Sequence, residues 1–279
     1  YLITGSEGNI GRALKEVLKE NNINDYASLD ILHKNESNYL RCDISNIRQI
    51  NRVLQQFKPE IIINLAGEFG RWNGEDYFEN LWNTNAIGVK NFLELQKDYG
   101  FRFIHASSSE VYGDYDGLME EDVLEKYPIR QLNDYAITKW VNEMQIKNSI
   151  MMNQTNCVIF RIFNTYGPGE IFNEYRSALS RFVYSVLTEK PYKVYSGHIR
   201  THTYIKDCAK MIKLIADKGK IGEVYNVAGP DKTSMEEVNK LICDIANKPY
   251  NENYIINKNE PFTTKVKLVS NKKFMSLSD

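Results

Sequence analysis

The sequence lacks the features that mark several common classes of protein. No stretch of its 279 residues approaches 18 consecutive apolar positions, so no membrane-spanning helix is expected. The four cysteines lie far apart without a CxxC pair, which argues against a zinc site or a disulfide framework. An excess of one charge is also missing, with 35 Lys and Arg against 36 Asp and Glu. General nucleic-acid binders need a basic surface, so this balance argues against nucleic acid as a partner.

The length and the isolated cysteines indicate a cytoplasmic protein with a large core. A chain of this length forms one large α/β domain, or a large domain with a smaller one. Scattered cysteines are typical of buried thiols in a reducing compartment. The chain begins at Tyr1 inside an apolar run without a charged leader. These residues show no signal peptide, and we expect that one or two N-terminal residues are absent, which leaves open a targeting segment before them.

Short apolar runs alternate with segments of helical period over the first 165 residues. Each run is four to six residues long and almost entirely apolar, as expected for strands covered on both faces. Apolar residues recur at helical spacing over residues 10–18 and over residues 47–57, before Pro59. This alternation predicts an α/β fold with a doubly wound parallel sheet of the Rossmann type. The predicted strands are residues 1–4, 26–31, 61–65, 101–106 and 157–162.

The alternation loosens after a Gly-Pro-Gly break at residues 167–169. Ser234 and Glu237 have the spacing of a capping box, which predicts a helix start. The last thirty residues are polar and irregular and predict no element. The elements predicted beyond the break are helices over residues 177–187, 207–216 and 234–246, and strands over residues 192–195 and 224–227.

Three glycines at intervals of three lie between the first predicted strand and the first predicted helix. Gly5 permits a tight turn, Gly8 lets backbone N–H groups approach a pyrophosphate, and Gly11 allows close packing of helix on strand. The motif requires this strand-to-helix context. We therefore predict a dinucleotide site that includes Asn9 and Ile10 at the start of the helix.

Acidic residues at strand ends indicate which dinucleotide binds. Asp30 ends the second strand, where a carboxylate accepts hydrogen bonds from ribose hydroxyls and repels a 2′-phosphate. NAD is therefore favoured over NADP, although a solvated Asp at a strand end has the same pattern. Asp43 and Ile44 either flank the adenine or form the N-cap region of the next helix.

Tyr135 and Lys139 stand four residues apart in a helical segment, so both side chains lie on one face. An ammonium beside a phenol stabilises the phenolate, and we expect Lys139 to lower the pKa of Tyr135 so that it acts as a general base. Tyr254 and Lys258 have the same spacing, but their segment indicates extended structure. A polar run, residues 105–113, ends what we count as the fourth parallel strand, at the sheet edge where active sites gather.

These motifs together resemble the extended short-chain dehydrogenases/reductases, specifically the NAD-dependent nucleotide-sugar epimerases and dehydratases. The resemblance covers about residues 1–245. It rests on the TGxxGxxG loop from Thr4, the SSxEVYG run at residues 107–113, Tyr135 with Lys139, Asn85 in NTNAIG, and RIFNTYGPG from Arg161. Residues 200–207 and 222–227 also match.

The resemblance implies roles for these positions. Ser108 hydrogen-bonds the sugar hydroxyl being oxidised, Tyr135 takes its proton, and Lys139 binds the nicotinamide ribose and tunes Tyr135. Asn164 and Arg200 resemble contacts to the substrate diphosphate, although a structural ion pair would also explain Arg200. The resemblance also implies that Leu65, Ala66 and Asn85 bind NAD.

Ser109 and Glu110 resemble the residues that determine the reaction after oxidation. In sugar 4,6-dehydratases an acidic pair or a Ser-Glu pair removes the proton at C5 and protonates the hydroxyl that leaves C6. The nucleotide-uronic acid decarboxylases have a similar Thr-Ser-Glu run, and the 4-epimerases usually lack the acid. We therefore favour a 4,6-dehydratase over a 4-epimerase, a decarboxylase or a non-catalytic NAD sensor.

Two departures from the family pattern concern the presumed sugar side. Residues 64–67 read Asn-Leu-Ala-Gly where His-x-Ala-Ala is common, and Asp134 replaces a frequent Pro. The loop that follows is rich in Arg, Trp and Glu, so we predict that Glu68 or Arg71 contacts the sugar.

The resemblance also implies a homodimer, paired through helices around residues 81–95 and 137–150. The expected partner is a nucleotide-diphosphate sugar, and no metal is expected. The predicted domains are residues 1–165, with 202–228 returning to them, for NAD. A smaller, discontinuous α/β domain of residues 166–201 and 229–279 would bind the nucleotide sugar.

Overall fold

Strands and helices alternate in the computed structural model, which describes residues 1–278. The strands are β1 (Leu2–Thr4), β2 (Ala27–Asp30), β3 (Tyr39–Arg41), β4 (Ile61–Asn64), β5 (Arg102–Ser108), β6 (Leu118–Met119), β7 (Cys157–Ile162), β8 (Thr165–Tyr166), β9 (Val194–Tyr195), β10 (Ile199–Thr201), β11 (Thr203–Tyr204), β12 (Val224–Val227), β13 (Lys232–Ser234), β14 (Ile255–Ile256) and β15 (Leu268–Val269). The α-helices are α1 (Asn9–Glu20), α2 (Ile47–Phe57), α3 (Arg71–Asp76), α4 (Phe78–Trp82), α5 (Gly88–Tyr99), α6 (Val123–Lys126), α7 (Asp134–Asn153), α8 (Ala178–Thr188), α9 (Ile205–Lys218), α10 (Met235–Ile245) and α11 (Lys272–Met275).

A seven-stranded sheet forms the centre of the fold, in the order β3-β2-β1-β4-β5-β7-β12. Every neighbouring pair runs parallel. The chain builds outward from β1 to β3 and then returns to place β4 on the other side of β1. The predicted doubly wound parallel sheet is therefore confirmed, with its reversal of strand order between β1 and β4.

Helices cover both faces of the sheet. On one face, α1 and α9 bury Leu14, Val17 and Ile212 against β1 and β5. On the other face, α2, α5 and α7 bury residues such as Val53 and Phe92. Because both faces are buried, apolar residues predominate in most of the sheet strands, as the sequence predicts.

Within the central sheet, the sequence predicts six of the seven strands and misses β3. The predicted runs correspond to β1, β2, β4, β5 and β7, and the run at residues 224–227 is β12. Tyr39 is buried in β3, whereas Arg41 is exposed, so this strand has no continuous apolar pattern. The strand that ends before residues 109–113 is therefore the fifth along the chain, not the fourth.

The chain outside the sheet forms small paired strands. The pairs are β8 with β11, β9 with β14, β10 with β13 and β6 with β15. The predicted capping box is present, since Ser234 accepts from the Glu237 amide and Glu237 accepts from the Ser234 amide. The last thirty residues contain β14, β15 and α11, which the sequence does not predict.

Within residues 1–278 no helix is both long and apolar enough to cross a membrane. The same residues hold no group of three or more His, Cys, Asp or Glu side chains suited to binding a metal ion. All four cysteines are free and buried.

Candidate active site

A cavity of about 850 Å³ opens where the strand order reverses, at the carboxyl ends of the sheet strands. Its volume lies in the range of small-molecule and cofactor sites. The loops after β1, β2, β4, β5 and β7 line it, together with residues from the chain outside the sheet. The predicted site residues that line it are Gly5, Gly8, Asn9, Ile10, Gly11, Asp30, Asp43, Ile44, Leu65, Ala66, Glu68, Arg71, Ser108, Ser109, Glu110, Tyr135, Lys139, Asn164 and Arg200.

Asn85 lies behind the wall of this cavity and is almost completely buried. Its Oδ1 accepts a hydrogen bond from the Glu68 amide at 2.8 Å, and its Nδ2 donates to the Glu68 carbonyl and to Thr138 Oγ1, each at 3.1 Å. These contacts fasten the loop after β4 to α7. In this structure Asn85 therefore shapes the cavity through Glu68.

The glycine loop packs too closely for larger residues. Gly5 has a φ of +64°, and a Cβ there would lie 2.8 Å from the Ala66 nitrogen. A Cβ on Gly11 would lie 2.4 Å from the Gly5 carbonyl oxygen. Helix α1 begins after Gly8 without a cap from any side chain of residues 1–278 and without an acid in its first turn. Its first N–H groups are therefore available to an anion at the cavity edge.

Backbone amides orient Asp30 at the end of β2. Its Oδ2 accepts from the Glu7 amide at 2.9 Å, and its Oδ1 accepts from the Ile31 amide at 2.8 Å. Two carboxylate oxygens offer about four acceptor sites, so Asp30 keeps capacity for ribose hydroxyls. This arrangement suits an adenosine ribose without a phosphate.

Glu7 lies next to Asp30 and holds two lysines. Its Oε1 lies 2.6 Å from Lys15 Nζ, and its Oε2 lies 2.6 Å from Lys34 Nζ. Burial acts to raise the pKa of Glu7, but the two ammonium groups together lower it. The sequence alone does not single out Glu7, because it occupies a variable position of the glycine motif.

For Asp43 and Ile44 the sequence leaves two alternatives open, a place beside the adenine or a role at the start of the next helix, and the structure has features of both. Both residues line the cavity. Asp43 Oδ1 also accepts from the Ser45 amide at 2.9 Å, which stabilises the turn before α2. The N-cap of α2 is Asn46, whose side chain accepts from the Arg48 and Gln49 amides.

Ser108, Tyr135 and Lys139 meet beside the end of β5. Ser108 is the last residue of β5, and Tyr135 and Lys139 lie in the first turns of α7. Asn133 caps α7 by accepting from the Ala136 amide at 2.7 Å, which fixes where these turns begin. Lys139 Nζ donates to the Ala106 carbonyl at 2.9 Å and lies 5.9 Å from the centre of the Tyr135 ring.

The pKa of Tyr135 differs from the expectation. Burial raises it to about 12, and the negative charge of Glu110 acts in the same direction, while the Ser108 hydroxyl opposes them. Lys139 is not among the groups that shift this pKa within residues 1–278. Burial also lowers the pKa of Lys139 itself to about 8. Within the described chain the phenol is therefore protonated near neutral pH.

Ser109 and Glu110 come after Ser108 in a 3₁₀ turn at the cavity wall. The turn is fixed by Ser108 Oγ, which accepts from the Glu110 amide at 3.2 Å. Glu110 Oε1 lies 2.5 Å from Nζ of Lys267, a residue just before β15. Burial acts to raise the pKa of Glu110, but Lys267, Arg71 and Arg200 outweigh it and lower the pKa.

A cluster of arginines also lines the cavity. Arg71 Nη2 lies 2.9 Å from Glu260 Oε1, and Arg181 and Arg200 lie 3.7 Å and 4.0 Å from the same carboxylate. Three guanidinium groups share one carboxylate, so the cluster keeps a net positive charge. Arg200 therefore forms a long ion pair with Glu260, which is the structural alternative that the sequence leaves open for it. It also lines the cavity, where it could meet a ligand.

Glu68 and Asn164 also line the cavity, and each forms a hydrogen bond within the chain. Glu68 Oε2 accepts from Asn73 Nδ2 at 3.2 Å, within the loop and helix that follow β4. Asn164 Nδ2 donates to the Thr201 carbonyl at 3.2 Å, which ties the end of β7 to β10.

Beneath the site lies a buried ion pair between β7 and α7. Arg161 Nε and Nη2 lie 2.9 Å and 2.8 Å from the two oxygens of Glu143, and both residues are almost inaccessible to solvent. Ser107 Oγ donates to Glu143 at 2.5 Å, and Arg161 also donates to the Tyr112 hydroxyl at 2.9 Å. This network connects the ends of β5 and β7 to the helix that carries Tyr135.

Three residues of the site, Lys267, Glu260 and Arg181, are not predicted from the sequence. Lys267 and Glu260 lie in the last thirty residues, where no periodicity places a side chain near the sheet. Arg181 lies in a predicted helix, but nothing in the helical pattern indicates which face it occupies. No local signal identifies these residues, since their contacts are set by the tertiary fold.

Comparison with known proteins agrees with this geometry. The family model described as "NAD dependent epimerase/dehydratase family" matches residues 1–228. A dTDP-glucose 4,6-dehydratase of Neisseria gonorrhoeae is 25% identical over 267 residues, covering 87% of this chain and 76% of that protein. A UDP-glucuronate 4-epimerase of Thermodesulfobacterium geofontis is 27% identical over 279 residues, covering 91% and 83%.

A solved structure is also similar throughout. The UDP-glucose 4-epimerase of Thermus thermophilus, crystallised with NAD, aligns with a TM-score of 0.86 at 22% identity, covering 99% of this chain and 92% of that one. This likeness shows the fold.

The residues present fit NAD. The close-packed Gly5 and Gly11, the uncapped start of α1 and the oriented Asp30 carboxylate supply the groups that its pyrophosphate and adenosine ribose require. The chain is an NAD-dependent enzyme, and it belongs to the NAD dependent epimerase/dehydratase family.

Proposed function

We propose that this enzyme oxidises the C4 hydroxyl of a nucleotide-linked hexose and then eliminates water across C5 and C6, as a 4,6-dehydratase. The observation that carries this proposal is the ionised Glu110 at the cavity wall, one turn from Ser108 and facing the same space as Tyr135. A base beside the oxidising residues is what elimination requires after C4 becomes a ketone.

Each catalytic residue has a separate role in the oxidation. Ser108 hydrogen-bonds the C4 hydroxyl, and Tyr135 takes its proton as a phenolate. Because burial raises the pKa of this phenol, the positive charge of the nicotinamide ring, when NAD is bound, would be needed to lower it. Lys139, on the same face of α7, binds the nicotinamide ribose. NAD, when bound, accepts the hydride from C4 and later returns it to the sugar.

The residues for the elimination, Ser109 and Glu110, lie in the 3₁₀ turn that follows Ser108. Glu110 takes the proton from C5, and the electron pair of the C5–H bond forms the C5=C6 double bond. The C6 hydroxyl leaves as water with the proton that Glu110 releases, while Ser109 hydrogen-bonds the leaving oxygen. The elimination therefore balances without a further acid. When the hydride is later added at C6, C5 takes up one proton, which balances the proton that the C4 hydroxyl gave to Tyr135.

The positive cluster supports a diphosphate substrate. Arg200 and Asn164 would hold the diphosphate, for which a guanidinium is well shaped. Glu68, in the loop after β4, and Arg71, at the start of α3, would contact the sugar. We assign residues 166–201 and 229–279 to nucleotide-sugar binding and residues 1–165 with 202–228 to NAD binding. The return of β12 to the sheet beside β7 supports this division.

Two alternatives share the oxidation. A 4-epimerase would rebind the ketone and return the hydride to its other face, and the 27% identity to a UDP-glucuronate 4-epimerase favours it. A nucleotide-uronic acid decarboxylase would lose carbon dioxide from the oxidised sugar, and the Ser109-Glu110 pair fits it as well. A non-catalytic NAD sensor is disfavoured because Ser108, Tyr135 and Lys139 converge on one cavity.

One experiment separates these reactions. The purified protein is incubated with UDP, GDP, CDP and dTDP sugars, including uronic acids, and product masses are recorded. A dehydratase lowers the mass by one water, a decarboxylase lowers it by one carbon dioxide, and an epimerase leaves it unchanged. A mass unchanged for every hexose, with a new isomer present, would contradict the dehydratase.

We further propose that the enzyme is a cytoplasmic homodimer. Large apolar side chains are exposed along α4, the π-helical turn Asn83–Ile87 and α7, which supports pairing through these helices. The buried free thiols are compatible with a reducing compartment.

A further inference from the structure

We propose that Lys267 is a positioning residue for Glu110, whose carboxylate it keeps ionised and directed into the cavity so that Glu110 acts as a base. This inference rests on the proposed function, in which Glu110 removes a proton from the sugar. The two residues lie 157 positions apart, and Lys267 lies outside the motif that contains Glu110.

The fold delivers the Lys267 ammonium to this place on a fixed backbone. Its amide donates to the Ile199 carbonyl at 3.1 Å, and the next two residues form β15 against β6. Val266, the residue before Lys267, forms a parallel β-bridge with Ile199. The chain is therefore held on both sides of Lys267, and its side chain is only 3% exposed.

The ion pair is asymmetric with respect to the cavity. Glu110 lines the cavity, whereas Lys267 lies behind it at 2.5 Å. A ligand in the cavity therefore meets the negative end of the pair. Buried ion pairs contribute little to stability compared with apolar residues of similar size, so stability alone gives no reason to bury a lysine here.

Two other cations near Glu110 lower its pKa in the same direction as Lys267, and a carboxylate offsets part of their charge. Arg71 and Arg200 face it from the start of α3 and from β10, and Glu260 neutralises part of their charge. The phenol of Tyr135 faces it from α7. Lys267 donates a hydrogen bond to the Glu110 carboxylate, and among these cations it lowers the pKa of Glu110 the most.

The direction of the effect on Glu110 can be derived from this arrangement. Lys267 and the two arginines lower the pKa of Glu110, and burial acts to raise it. When the Lys267 ammonium is removed, less positive charge opposes the effect of burial, so the pKa of Glu110 rises. Below that pKa Glu110 is protonated and cannot take the C5 proton, so the acidic limb of kcat/KM should move to higher pH.

The test compares Lys267→Met with Lys265→Met, an exposed lysine two residues earlier on the same segment. We expect Lys267→Met to shift the acidic limb upward by about one pH unit or more, so that its loss is at least tenfold at low pH and shrinks as the pH rises. KM should change little, and Lys265→Met should leave the profile unchanged. Adding Glu110→Gln to Lys267→Met should reduce activity no further than Glu110→Gln alone.

A second measurement does not depend on turnover. The ¹³C signal of the Glu110 carboxyl, assigned by its absence in Glu110→Gln, is titrated in the unliganded protein. We expect a higher midpoint in Lys267→Met than in the wild type, and a midpoint close to the wild type in Lys267→Arg. If Lys267→Met does not fold, the titration of Lys267→Gln takes its place.

Two outcomes would overturn the role of Lys267: an unchanged midpoint, or a loss of activity that is equal at every pH. The proposed function can fail separately, if the wild type releases no water from any nucleotide hexose. In that case the carboxyl titration still decides whether Lys267 sets the ionisation of Glu110.

Discussion

At the scale of single residues, Tyr135 combines a partly buried side chain with a raised pKa and a place beside Ser108. We predict that Tyr135→Phe lowers turnover by about 10²- to 10⁴-fold, because proton transfer from the sugar loses its acceptor. NAD affinity should change little, since the phenyl ring still fills the same space. Product formation and calorimetric titration with NAD measure the two effects. Turnover near that of the wild type would contradict the assignment.

A second prediction at this scale concerns Glu7, which holds Lys15 and Lys34 beside Asp30. Glu7→Gln removes one negative charge and frees two ammonium groups near the adenosine ribose. We expect the ratio of NADP to NAD affinity to rise about tenfold, equivalent to about 1.4 kcal/mol. Direct binding of both cofactors is measured at low and high salt.

The matched control for Glu7 is Glu36→Gln. Glu36 lies 3.5 Å from Lys34 but is exposed, so its loss should not alter the preference for NAD. An equal rise in both variants would show that net charge alone explains the change.

At the scale of elements, the pair of Arg161 and Glu143 joins β7 to α7. We predict that Glu143→Gln destabilises the protein by about 3–5 kcal/mol, because it leaves the Arg161 charge buried without its partner. The urea dependence of unfolding, followed by circular dichroism, measures this loss.

Asp122→Asn provides the comparison on a surface helix. Asp122 pairs with Lys126 at 2.6 Å, but both side chains are about half exposed, so the loss should be about 0–1 kcal/mol. Losses of equal size in the two variants would contradict the distinction between buried and exposed pairs.

The helices and strands also show which parts of the structure could be predicted from the sequence. Leu14 and Val17 recur at helical spacing because α1 buries one face, and the strands are apolar because both faces are covered, so local pattern predicts them. Most site residues before residue 201 are predicted from the sequence, whereas Glu7 and Arg181 are not. Lys267 and Glu260 could not be predicted, since their positions depend on strand pairs formed with residues far along the chain. The raised pKa of Tyr135 depends on burial, which spacing alone does not reveal.

At the scale of the whole molecule, apolar side chains remain exposed on two helical segments. Ile87 is 49% exposed in the π-helical turn, and Met144 is 45% exposed in α7. We predict that the double variant Ile87→Glu, Met144→Glu is monomeric, because it places charges in the proposed interface. Light scattering after gel filtration measures the mass.

Ile245→Glu is the control for this prediction. Ile245 is 78% exposed at the end of α10, outside both segments, so this variant should keep the mass of the wild type. A wild type that is itself monomeric at micromolar concentration would contradict the dimer.

The late arrival of β12 beside β7 also has a consequence for synthesis. When the ribosome has made the first 165 residues, six of the seven sheet strands exist, yet the outer edge of β7 still offers unpaired N–H and C=O groups. Such an edge pairs readily with other chains. About sixty more residues must emerge before Val224–Val227 can cover it. The nascent chain therefore passes through a period of exposure to aggregation, and a fragment cut at residue 165 would retain that exposure permanently.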